Sequence, residues 1–457
     1  MLKQKYFLWL LVGVFILALT LFPNPKVLAT DSGTFIDTTT SYLGWANCYN
    51  YQIKNFYANG RLWTFYADGN NMVYKTSLDG ITWSAKTVFY SGQYCGYALA
   101  LHFDGMYLHY AFNGAYTGAL LMYRMGIPNS NGTITWVNSE QIVLNVATNY
   151  NSMYCQIITD SNGYPWIVYC YKATTFPTIP AVGYVTKSST KDGTWTTASG
   201  FPYNLTGNHV SNLPIPHMTA LTNGKMYFVY NSDSNSLPNY GVLWNGSWGS
   251  IETTTHINSG YNPGQLIADG DNVYYIYMSA ESNLQWYVRE RTYGVGWGAA
   301  VFIVNGGGAG LTISETLIEP NHLIFIGADS NNSFIKYWDY NNGVLGSVVN
   351  WIDETAEGFP YPVNNNALLT SNPLCSTALT YVTKMASPYN IKFAKLTLGG
   401  ANPPPPPPPP TDETCYGVQS SGYDVYLYNL TTQAKSLIAH VATLQEAYAL
   451  INSLKGR

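Results

Sequence analysis

Five acidic side chains lie where polar loops interrupt apolar runs of the sequence: Asp68, Asp233, Glu281, Asp329 and Glu357. Two carboxyl groups that flank a glycosidic bond can hydrolyse it, one as the acid and the other as nucleophile or base. The sequence does not say which two of the five would face each other. They are candidates for a catalytic pair, and solvated surface carboxylates are the alternative.

Three histidines lie close together in the sequence, and Asp233 falls among them: His209, His217 and His256. A metal site would need two or three of these side chains to converge. Histidines that are hydrogen-bonded or solvated are the alternative, and we expect neither a metal nor a cofactor. The sequence also has no Ser-His-Asp elbow and no phosphate-binding glycine loop.

Tyrosine, tryptophan and asparagine are concentrated in the same polar loops. Aromatic faces stack on sugar rings, and a tyrosine or tryptophan also offers a polar tip. The predicted ligand-binding residues are Trp45, Tyr49, Tyr97, Tyr154, Tyr261, Asn262 and Tyr361. They favour a neutral glycan or a surface protein as the partner, whereas tyrosines that only pack between sheets are the alternative.

The six cysteines include no CxxC pair, so neither a zinc ribbon nor a c-type haem is predicted. If Asn162-Gly163 is a two-residue hairpin turn, Cys155 lies opposite Cys170, and a cross-strand disulfide is expected. Cys48 and Cys95 precede two successive apolar runs at equivalent places. They form either a disulfide between neighbouring units or a pair of free thiols.

A recurring antiparallel unit must position these residues. Similar turns lie between β-rich runs at Asn59-Gly60, Asp104-Gly105, Asn162-Gly163, Asn223-Gly224 and Asp269-Gly270, with weaker copies at Pro320-Asn321 and Asn372-Pro373. Asn-Gly and Asp-Gly supply the positive φ angles of type I′ hairpins. A period of about 40 to 60 residues of pure strand pattern is typical of a β-propeller, whose blades pack face to face.

We therefore predict an all-β fold, with a seven-bladed propeller over residues 33–400. The blades are expected at about 51–90, 97–145, 154–205, 217–255, 264–304, 312–353 and 367–398. The last blade has three predicted strands: Ala367–Leu374, Ser376–Lys384 and Asn390–Leu398. Phe35–Thr40 is similar to Ser250–Thr255, a predicted outermost strand, so the N-terminal strand is expected to close the last blade.

The turn between the third and fourth strands of the first unit reads Ser77-Leu78-Asp79-Gly80-Ile81-Thr82-Trp83. Partial copies occur at Thr190–Trp195, Asn131–Trp136, Asn245–Trp248 and Gly296-Trp297. These segments resemble the Asp boxes, or BNR repeats, of sialidases and related secreted propellers, although the first copy is one residue shorter than that pattern. The resemblance implies the propeller fold and a structural box, in which Asp caps its own turn and Trp packs between blades.

Sialidase chemistry does not follow from this resemblance. That family clamps a carboxylate with three arginines, the first of which lies in an Arg-Ile-Pro motif that is absent from this sequence. Arg61 follows the first Asn-Gly turn, and Arg124, Arg289 and Arg291 fall within predicted third strands. Bidentate recognition of a carboxylate by converging arginines is therefore not expected.

Residues 1–29 have the pattern of a secretory signal peptide. Lys3 and Lys5 precede the apolar run Phe7–Phe22, and Val27–Ala29 is a small-residue cleavage site. The run is short for a spanning helix of about 20 residues, and an uncleaved anchor is the alternative. Cleavage removes three lysines and no acid from a chain of formal net charge −4, which argues against nucleic acid as a partner. We expect a secreted or cell-surface protein.

Residues 401–411 are a polyproline linker, which is stiff and extended. The tail, 412–457, is predicted to be a small ββα module. Its strands are Asp424–Leu427 and Ser436–Val441, and a capping box at Thr443–Glu446 begins its helix. A module of this size buries little core alone, so envelope attachment or self-association through it is expected.

The two ends of the predicted propeller differ. One, the Asp-box face, carries the first-to-second and third-to-fourth turns, which are minimal. The other, the loop face, carries the second-to-third loops and the blade connections, and function is expected there. The first hypothesis is a propeller that binds glycan or a surface protein through the loop face. A glycoside hydrolase is the second hypothesis, and a structural envelope or filament subunit is the third.

Overall fold

The structure, a computed structural model, consists almost entirely of β-strands. It describes residues 32–41, 46, 51–92, 96–113, 120–145, 150–173, 182–206, 215–230, 238–256, 264–279, 285–305, 312–328, 334–357, 361–366, 377–383, 386–398, 414–419, 423–429 and 435–441. The predicted signal peptide, 1–29, and the linker, 401–411, lie outside these residues. The chain divides into two compact units, Met1–Thr397 and Leu398–Arg457.

Seven antiparallel sheets form the blades of a propeller ring, as predicted. The chain begins with β1 (Thr34–Thr39). Blade 1 contains β2 (Asn55–Ala58), β3 (Arg61–Ala67), β4 (Met72–Ser77) and β5 (Thr87–Tyr90). Blade 2 contains β6 (Leu99–Phe103), β7 (Leu108–Asn113), β8 (Leu121–Pro128), β9 (Ile134–Trp136) and β10 (Gln141–Leu144). Blade 3 contains β11 (Tyr150–Thr159), β12 (Pro165–Ala173), β13 (Val182–Lys187) and β14 (Tyr203–Asn204).

The remaining four blades repeat this pattern. Blade 4 contains β15 (His217–Ala220), β16 (Met226–Tyr230), β17 (Pro238–Trp244) and β18 (Glu252–His256). Blade 5 contains β19 (Gln265–Asp269), β20 (Asn272–Ser279), β21 (Gln285–Thr292) and β22 (Gly296–Asn305). Blade 6 contains β23 (Thr312–Glu319), β24 (His322–Ala328), β25 (Phe334–Asn341), β26 (Val344–Leu345) and β27 (Val349–Asp353). Blade 7 contains β28 (Tyr361–Asn366), β29 (Thr377–Thr383) and β30 (Tyr389–Leu396).

The N-terminal strand closes the ring. β1 pairs antiparallel with β30, so that Thr34 lies opposite Phe393 and Thr39 opposite Tyr389. It thereby supplies the fourth strand of blade 7, which confirms the predicted closure. The first strand of that blade was predicted wrongly at Ala367–Leu374, because β28 is Tyr361–Asn366. Pairing with β29 outweighs the poor strand propensity of its asparagines.

The hairpin turns explain why the blades form where they do. Asn59 and Gly60 have φ angles of 49° and 79°, and Asn223 and Gly224 have 57° and 71°, the left-handed pair that a tight hairpin needs. Other turns start at an aspartate instead. Asp104 Oδ1 accepts hydrogen bonds from the backbone N–H groups of Met106 and Tyr107, at 2.8 and 2.6 Å.

The core lies between the blades. β20 is buried along its whole length after Asn272, as expected for a strand covered on both faces. Trp63 and Trp166 are fully buried in such strands, and Trp286 is fully buried on β21, whose residues alternate in burial. Each described apolar cluster of this kind joins two neighbouring blades, as where Phe56 of blade 1 stacks on Phe103 of blade 2 with centroids 5.0 Å apart. A single blade would therefore expose both of its faces, and the ring folds as one unit.

The first Asp-box segment has the structural role that its sequence predicts. Asp79 Oδ1 accepts hydrogen bonds from the N–H groups of Ile81 and Thr82, both at 2.8 Å, and these bonds with that from Ser77 lower the pKa of Asp79 to about 2. The Trp83 ring packs edge-on against Phe393 of blade 7, with centroids 4.9 Å apart. The box thus ties blade 1 to blade 7.

A buried polar cluster holds the closed ring together. Lys392 Nζ on β30 contacts Glu354 Oε2 at 2.7 Å and Glu357 Oε1 at 2.8 Å. Glu354 Oε1 accepts hydrogen bonds from the Tyr381 hydroxyl at 2.6 Å and from the Gly33 N–H at 3.1 Å. We call these residues the closure cluster, because they join the N-terminal segment, the connection from blade 6 and blade 7.

The second unit contains a three-stranded sheet of β31 (Thr414–Gln419), β32 (Tyr423–Asn429) and β33 (Lys435–Val441). β32 and β33 include the two predicted strands and pair antiparallel. β31 was not predicted, and the predicted helix lies outside the described residues. In the part of the chain that the structure describes, no helix has the length and apolar character needed to cross a bilayer.

Replacing the closure-cluster lysine tests this account of ring closure. Lys392→Met should lower the free energy of unfolding by about 3 to 5 kcal/mol, because it leaves Glu354, whose side chain is 1% exposed, as an uncompensated buried charge. Lys395→Met on the same strand is the matched control. Its ammonium group donates to the exposed backbone oxygen of Asp79, and the change should stay within about 0.5 kcal/mol. Urea unfolding measures both, and equal losses would contradict the assignment.

Candidate functional site

The Asp-box face is occupied by hydrogen bonds between neighbouring blades. Asn59 Nδ2 donates to Pro128 O at 2.5 Å, and the Gly224 N–H donates to Ser161 Oγ at 2.7 Å. The Asn321 N–H donates to Asp269 Oδ2 at 2.7 Å. These turns hold the blades in register, so their hydrogen-bonding groups are already used and the loop face is the better place for a binding site.

At the loop face, five buried residues meet around the centre of the ring: Tyr51, Tyr154, Cys170, Ile215 and His217. We call them the axial cluster. Tyr51 precedes β2, Tyr154 and Cys170 lie in β11 and β12, and Ile215 and His217 begin blade 4. The first strands of neighbouring blades contact one another, so they line the axis. Tyr51 belongs to blade 1 and His217 to blade 4, so their contact crosses that axis.

His217 is the most unusual member of the axial cluster. Its side chain is 1% exposed, and neither Nδ1 nor Nε2 has a hydrogen-bond partner among the described residues. Its ring packs edge-on against Tyr51, with centroids 4.7 Å apart. Burial lowers the pKa of His217 to about 3, so the imidazole is neutral at ordinary pH. A neutral imidazole has one N–H donor and one acceptor nitrogen, and here neither has a partner within the described part of the chain.

Tyr154 adopts a backbone conformation that a tyrosine rarely has. Its φ angle is 56°, in the left-handed region, at a bulge between Met153 and Gln156 in β11. Left-handed conformations of bulky residues cost of order 1–3 kcal/mol and persist only where the surroundings enforce them. Such strain clusters at ligand and active sites. The bulge directs Tyr154 into the axial cluster.

The segment before β2 fills the channel beneath this cluster. Gln52 and Lys54 are fully buried, and Gln52 Nε2 donates to Cys155 O of blade 3 at 3.0 Å. Lys54 Nζ donates to Gln52 Oε1 at 3.1 Å and also to Leu99 O. Gln52 and Lys54 thus link the segment before β2 to blades 2 and 3 close to the axial cluster.

Two of the predicted catalytic carboxylates have structural roles. Asp68 Oδ1 accepts hydrogen bonds from the N–H groups of Asn70 and Asn71, at 3.0 and 2.9 Å, and Oδ2 meets Lys86 at 2.9 Å. Burial alone would raise the pKa of Asp68, but these contacts lower it overall. The other three candidates, Asp233, Glu281 and Asp329, lie outside the described residues.

Glu357 is the second of these carboxylates and belongs to the closure cluster. Oε1 contacts Lys392, and Oε2 accepts hydrogen bonds from Thr383 Oγ1 at 2.6 Å and Asn390 Nδ2 at 2.8 Å. Burial would raise the pKa of Glu357, yet these donors bring it to about 2. Both oxygens are engaged, and the nearby carboxylate of Glu354 shares the same lysine, so no sugar fits between them.

Of the predicted ligand-binding residues, Tyr154 lies in the axial cluster. The backbone of Tyr97 forms part of a 3-10 turn, Gly96–Ala98, just before β6. The backbone of Tyr361 begins β28, where a loop was expected. Trp45, Tyr49, Tyr261 and Asn262 lie outside the described residues.

The three histidines do not form one site. His217 begins the innermost strand of blade 4, whereas His256 ends β18, the outermost strand of the same sheet. Three strand spacings separate the two, roughly 14 Å. His209 lies outside the described residues, and within the described part of the chain no three potential metal-binding side chains come together.

The predicted disulfide between Cys155 and Cys170 is wrong. Both cysteines are buried thiols, and Cys170 lies opposite Met153. The strand register differs from the predicted one for two reasons. The turn is longer than two residues, because Asp160 caps it through the N–H groups of Asn162 and Tyr164. The bulge also adds a residue to β11. Cys48 and Cys95 lie outside the described residues.

The described arginines act within and between blades, as their sequence positions predicted. Arg291 forms a bidentate pair with Glu252 across the seam between blades 4 and 5, at 2.8 and 2.6 Å. Arg289 donates to Gly298 O at 2.5 Å, Arg61 to Ser130 O at 2.5 Å, and Arg124 lies over the Trp136 ring. These four side chains are not available to clamp a substrate carboxylate.

The sequence analysis missed two polar residues near the axis, Gln265 and Glu315. Gln265 begins β19, and Glu315 lies in β23 between Ile313 and Leu317 on the same face of the strand. Ile313 and Leu317 pack into the apolar seam between blades 5 and 6. The sequence signal that could have identified Glu315 is a glutamate at a position where the alternating strand pattern calls for an apolar residue.

Comparison with known proteins adds information on the fold. No family model matches the chain, and no curated protein matches it in sequence. Among solved structures, a PL25 ulvan lyase, a polysaccharide lyase, superposes with a TM-score of 0.55 at 11% identity, covering 80% of this chain and 95% of its own. A second structure of such a lyase, bound to GlcA(1-4)Rha3S, gives 0.51 at 10% identity, with 79% and 96% covered.

A Hadza microbial sialidase also resembles the chain, with a TM-score of 0.42 at 9% identity and coverage of 71% and 74%. At such identities the likeness to the lyases shows a common fold alone. The propeller implied by the Asp-box resemblance is therefore supported. Membership of the Asp-box family stays a prediction.

A histidine with two unused nitrogens should be dispensable for folding. His217→Leu should leave the free energy of unfolding unchanged or raise it by up to about 2 kcal/mol, because it removes unpaired buried polar groups at the cost of one aromatic contact. His109→Leu is the control. Its nitrogens contact the Tyr123 hydroxyl at 2.9 Å and Asp104 Oδ2 at 3.1 Å, and its loss should cost about 2 kcal/mol or more. A large loss from His217→Leu would show that the imidazole is structurally paired.

The pH dependence of stability gives a separate readout for His217. Because its folded pKa is lowered to about 3, the unfolded state binds the proton more readily below an ordinary pKa of about 6.5. The stability contributed by the neutral imidazole is thus complete above about pH 6.5 and is lost as the pH falls towards 3. We expect up to about 1.4 kcal/mol lost per pH unit, a component that His217→Leu removes. Superimposable pH profiles of the two proteins would contradict this.

Proposed function

We propose that the chain is a secreted or surface-attached propeller that binds a polysaccharide at its loop face, directly above the axial cluster. The observation that carries the proposal is His217, a buried imidazole with two unpaired nitrogens beside Tyr51 and the strained Tyr154. Buried polar groups are almost always paired in native proteins, so an unpaired one requires an explanation. A ligand that supplies the missing hydrogen bonds is that explanation.

The composition of the axial cluster fits a sugar. Tyrosine rings provide flat apolar surface, and an uncharged imidazole offers one donor and one acceptor to hydroxyl groups. The fold shared with two structures of a polysaccharide lyase, one of them bound to GlcA(1-4)Rha3S, supports a glycan as the ligand class. Secretion follows from the signal-like pattern of residues 1–29, and the tail would then attach or present the propeller.

Elimination chemistry at the same cluster is a second candidate function. In such a reaction a base removes the proton next to the carboxylate of a uronate, the bond to the leaving oxygen breaks, and an acid protonates that oxygen. The neutral His217 imidazole could accept a proton and the Tyr51 hydroxyl could donate one. The contact between these two rings is the observation that favours elimination. Hydrolysis by a carboxylate pair is less well supported, because Asp68 and Glu357 are engaged elsewhere.

Polysaccharide binding is tested with the purified chain and two probes, a sulfated uronate–rhamnose polysaccharide and a neutral β-glucan, by affinity electrophoresis and calorimetry. The wild type should bind at least one of them. His217→Leu should weaken that binding by about tenfold or more at unchanged thermal stability, because each lost hydrogen bond in a desolvated site costs of order 1–3 kcal/mol. His322→Leu, on the Asp-box face, should bind like the wild type.

Three results decide between the alternatives. No binding of either probe by the wild type would overturn the proposed function. Equal binding by His217→Leu and the wild type would show that the axial cluster is not part of the binding site. Release of products with the ultraviolet absorbance of an unsaturated uronate, lost in His217→Leu, would establish elimination instead of binding alone.

A further inference from the structure

A second pair of unpaired polar groups lies in the seam between blades 5 and 6. It lies on the first strands of these blades, which line the axis and which we call the axial wall. Gln265 is the first residue of β19, at the loop-face end of that strand. Gly264 before it has a φ angle of 70°, and a Cβ atom there would lie 2.3 Å from Ile276 O, so the strand begins at a fixed place. Glu315 lies on β23, the neighbouring first strand.

One hydrogen bond, from a backbone N–H group to a side-chain oxygen, links these two residues, but the Gln265 amide nitrogen and Glu315 Oε2 do not bond to each other. Gln265 Oε1 accepts a hydrogen bond from the Glu315 N–H at 3.2 Å. Gln265 is 5% exposed, and its Nε2 has no hydrogen-bond partner among the described residues. Glu315 Oε2 is likewise shielded from solvent and unpartnered, although other parts of that residue are exposed. Two facing strands thus each present an unused polar atom in one seam.

Gln156 shows that this arrangement is not required by the fold. In the seam between blades 3 and 4, Gln156 Oε1 accepts a hydrogen bond from the Met218 N–H at 2.9 Å, the same inter-blade link that Gln265 makes. No buried, unpartnered atom occurs on Gln156 or Met218. Of these two glutamine links, only the one between blades 5 and 6 leaves buried side-chain atoms unpartnered among the described residues.

The chemistry of the Glu315 carboxyl determines which ligand group these atoms suit. Burial raises the pKa of Glu315 well above its ordinary value, which favours the uncharged carboxylic acid. A carboxylic acid offers an O–H donor and an acceptor, and the Gln265 amide adds an N–H donor. A hydroxyl group both donates and accepts, and matches this pair. The uncharged pair has no fixed charge with which to attract an ion.

We propose that Gln265 and Glu315 form a hydroxyl-binding subsite on the axial wall, which holds one sugar of the polysaccharide bound above the axial cluster. This inference rests on the proposed function and adds to it a subsite and its chemistry. The subsite recognises sugar hydroxyls through uncharged donors and acceptors. His217, Gln265 and Glu315 then lie on the first strands of three consecutive blades, along one side of the axis.

The test compares shape-matched variants with the same two polysaccharide probes. Glu315→Gln keeps a donor and an acceptor and should bind within about threefold of the wild type. Glu315→Met removes both and should weaken binding by about tenfold or more, with thermal stability unchanged or raised. Gln265→Met and Gln156→Met lose the same inter-blade hydrogen bond and should lose similar stability, yet only Gln265→Met should lose affinity.

The outcomes separate this proposal from the proposed function. If the wild type binds neither probe, the proposed function itself fails. If the wild type binds and His217→Leu does not, but Glu315→Met binds like the wild type, the subsite alone is wrong. If Glu315→Met lowers stability markedly and leaves affinity intact, an ordered water in the seam pairs these atoms, and that result also overturns the subsite.

Discussion

The structure depends on one long-range contact, the pairing of the N-terminal strand with the last blade. Each blade has two apolar faces and is stable only when both are covered, so an open ring would leave two sheets exposed. β1 on β30 removes that edge. The closure cluster then specifies the register, because Glu354 finds Gly33, Tyr381 and Lys392 together only when the ring is closed. Buried ion pairs contribute little net stability, but an alternative closure that left Glu354 unpaired would be costly.

The two faces of the ring use their polar groups differently. On the Asp-box face, turn residues satisfy one another, and the arginines and many aspartates are used in caps and seams. Arginine side chains that could bind an anion are instead paired within the protein, as in the Arg291–Glu252 ion pair. At the axial end of the loop face, His217, Gln265 and Glu315 carry buried polar atoms without partners among the described residues, as Trp83, Trp297 and Arg291 also do elsewhere. Proteins accept such a loss of stability where binding or chemistry needs the group.

Features set by local sequence could be predicted, and features set by tertiary partners could not. Asn59-Gly60 and Asn223-Gly224 indicated hairpins because their backbone angles are a local property. The disulfide prediction failed because the cap at Asp160 and the bulge at Tyr154 change the register by interactions that the spacing of cysteines does not contain. Asp68 and Glu357 were selected by residue type and loop position, but their roles depend on Lys86 and Lys392, which are distant in sequence. His217 was selected as a possible metal ligand, whereas its significance lies in two ring nitrogens that have no partner in the described ranges.

The unused groups on the axis also constrain how a ligand would be recognised. Burial keeps His217 neutral and raises the pKa of Glu315, and both effects favour donors and acceptors without fixed charge beside the axis. Uncharged hydrogen-bonding sites discriminate by the cost of leaving a buried group unpaired, and they reject a ligand that lacks the matching hydroxyl. Charge-based capture would instead act at long range and weaken with salt. Selectivity on this wall should therefore follow the position and configuration of sugar hydroxyls more closely than the net charge of the polysaccharide.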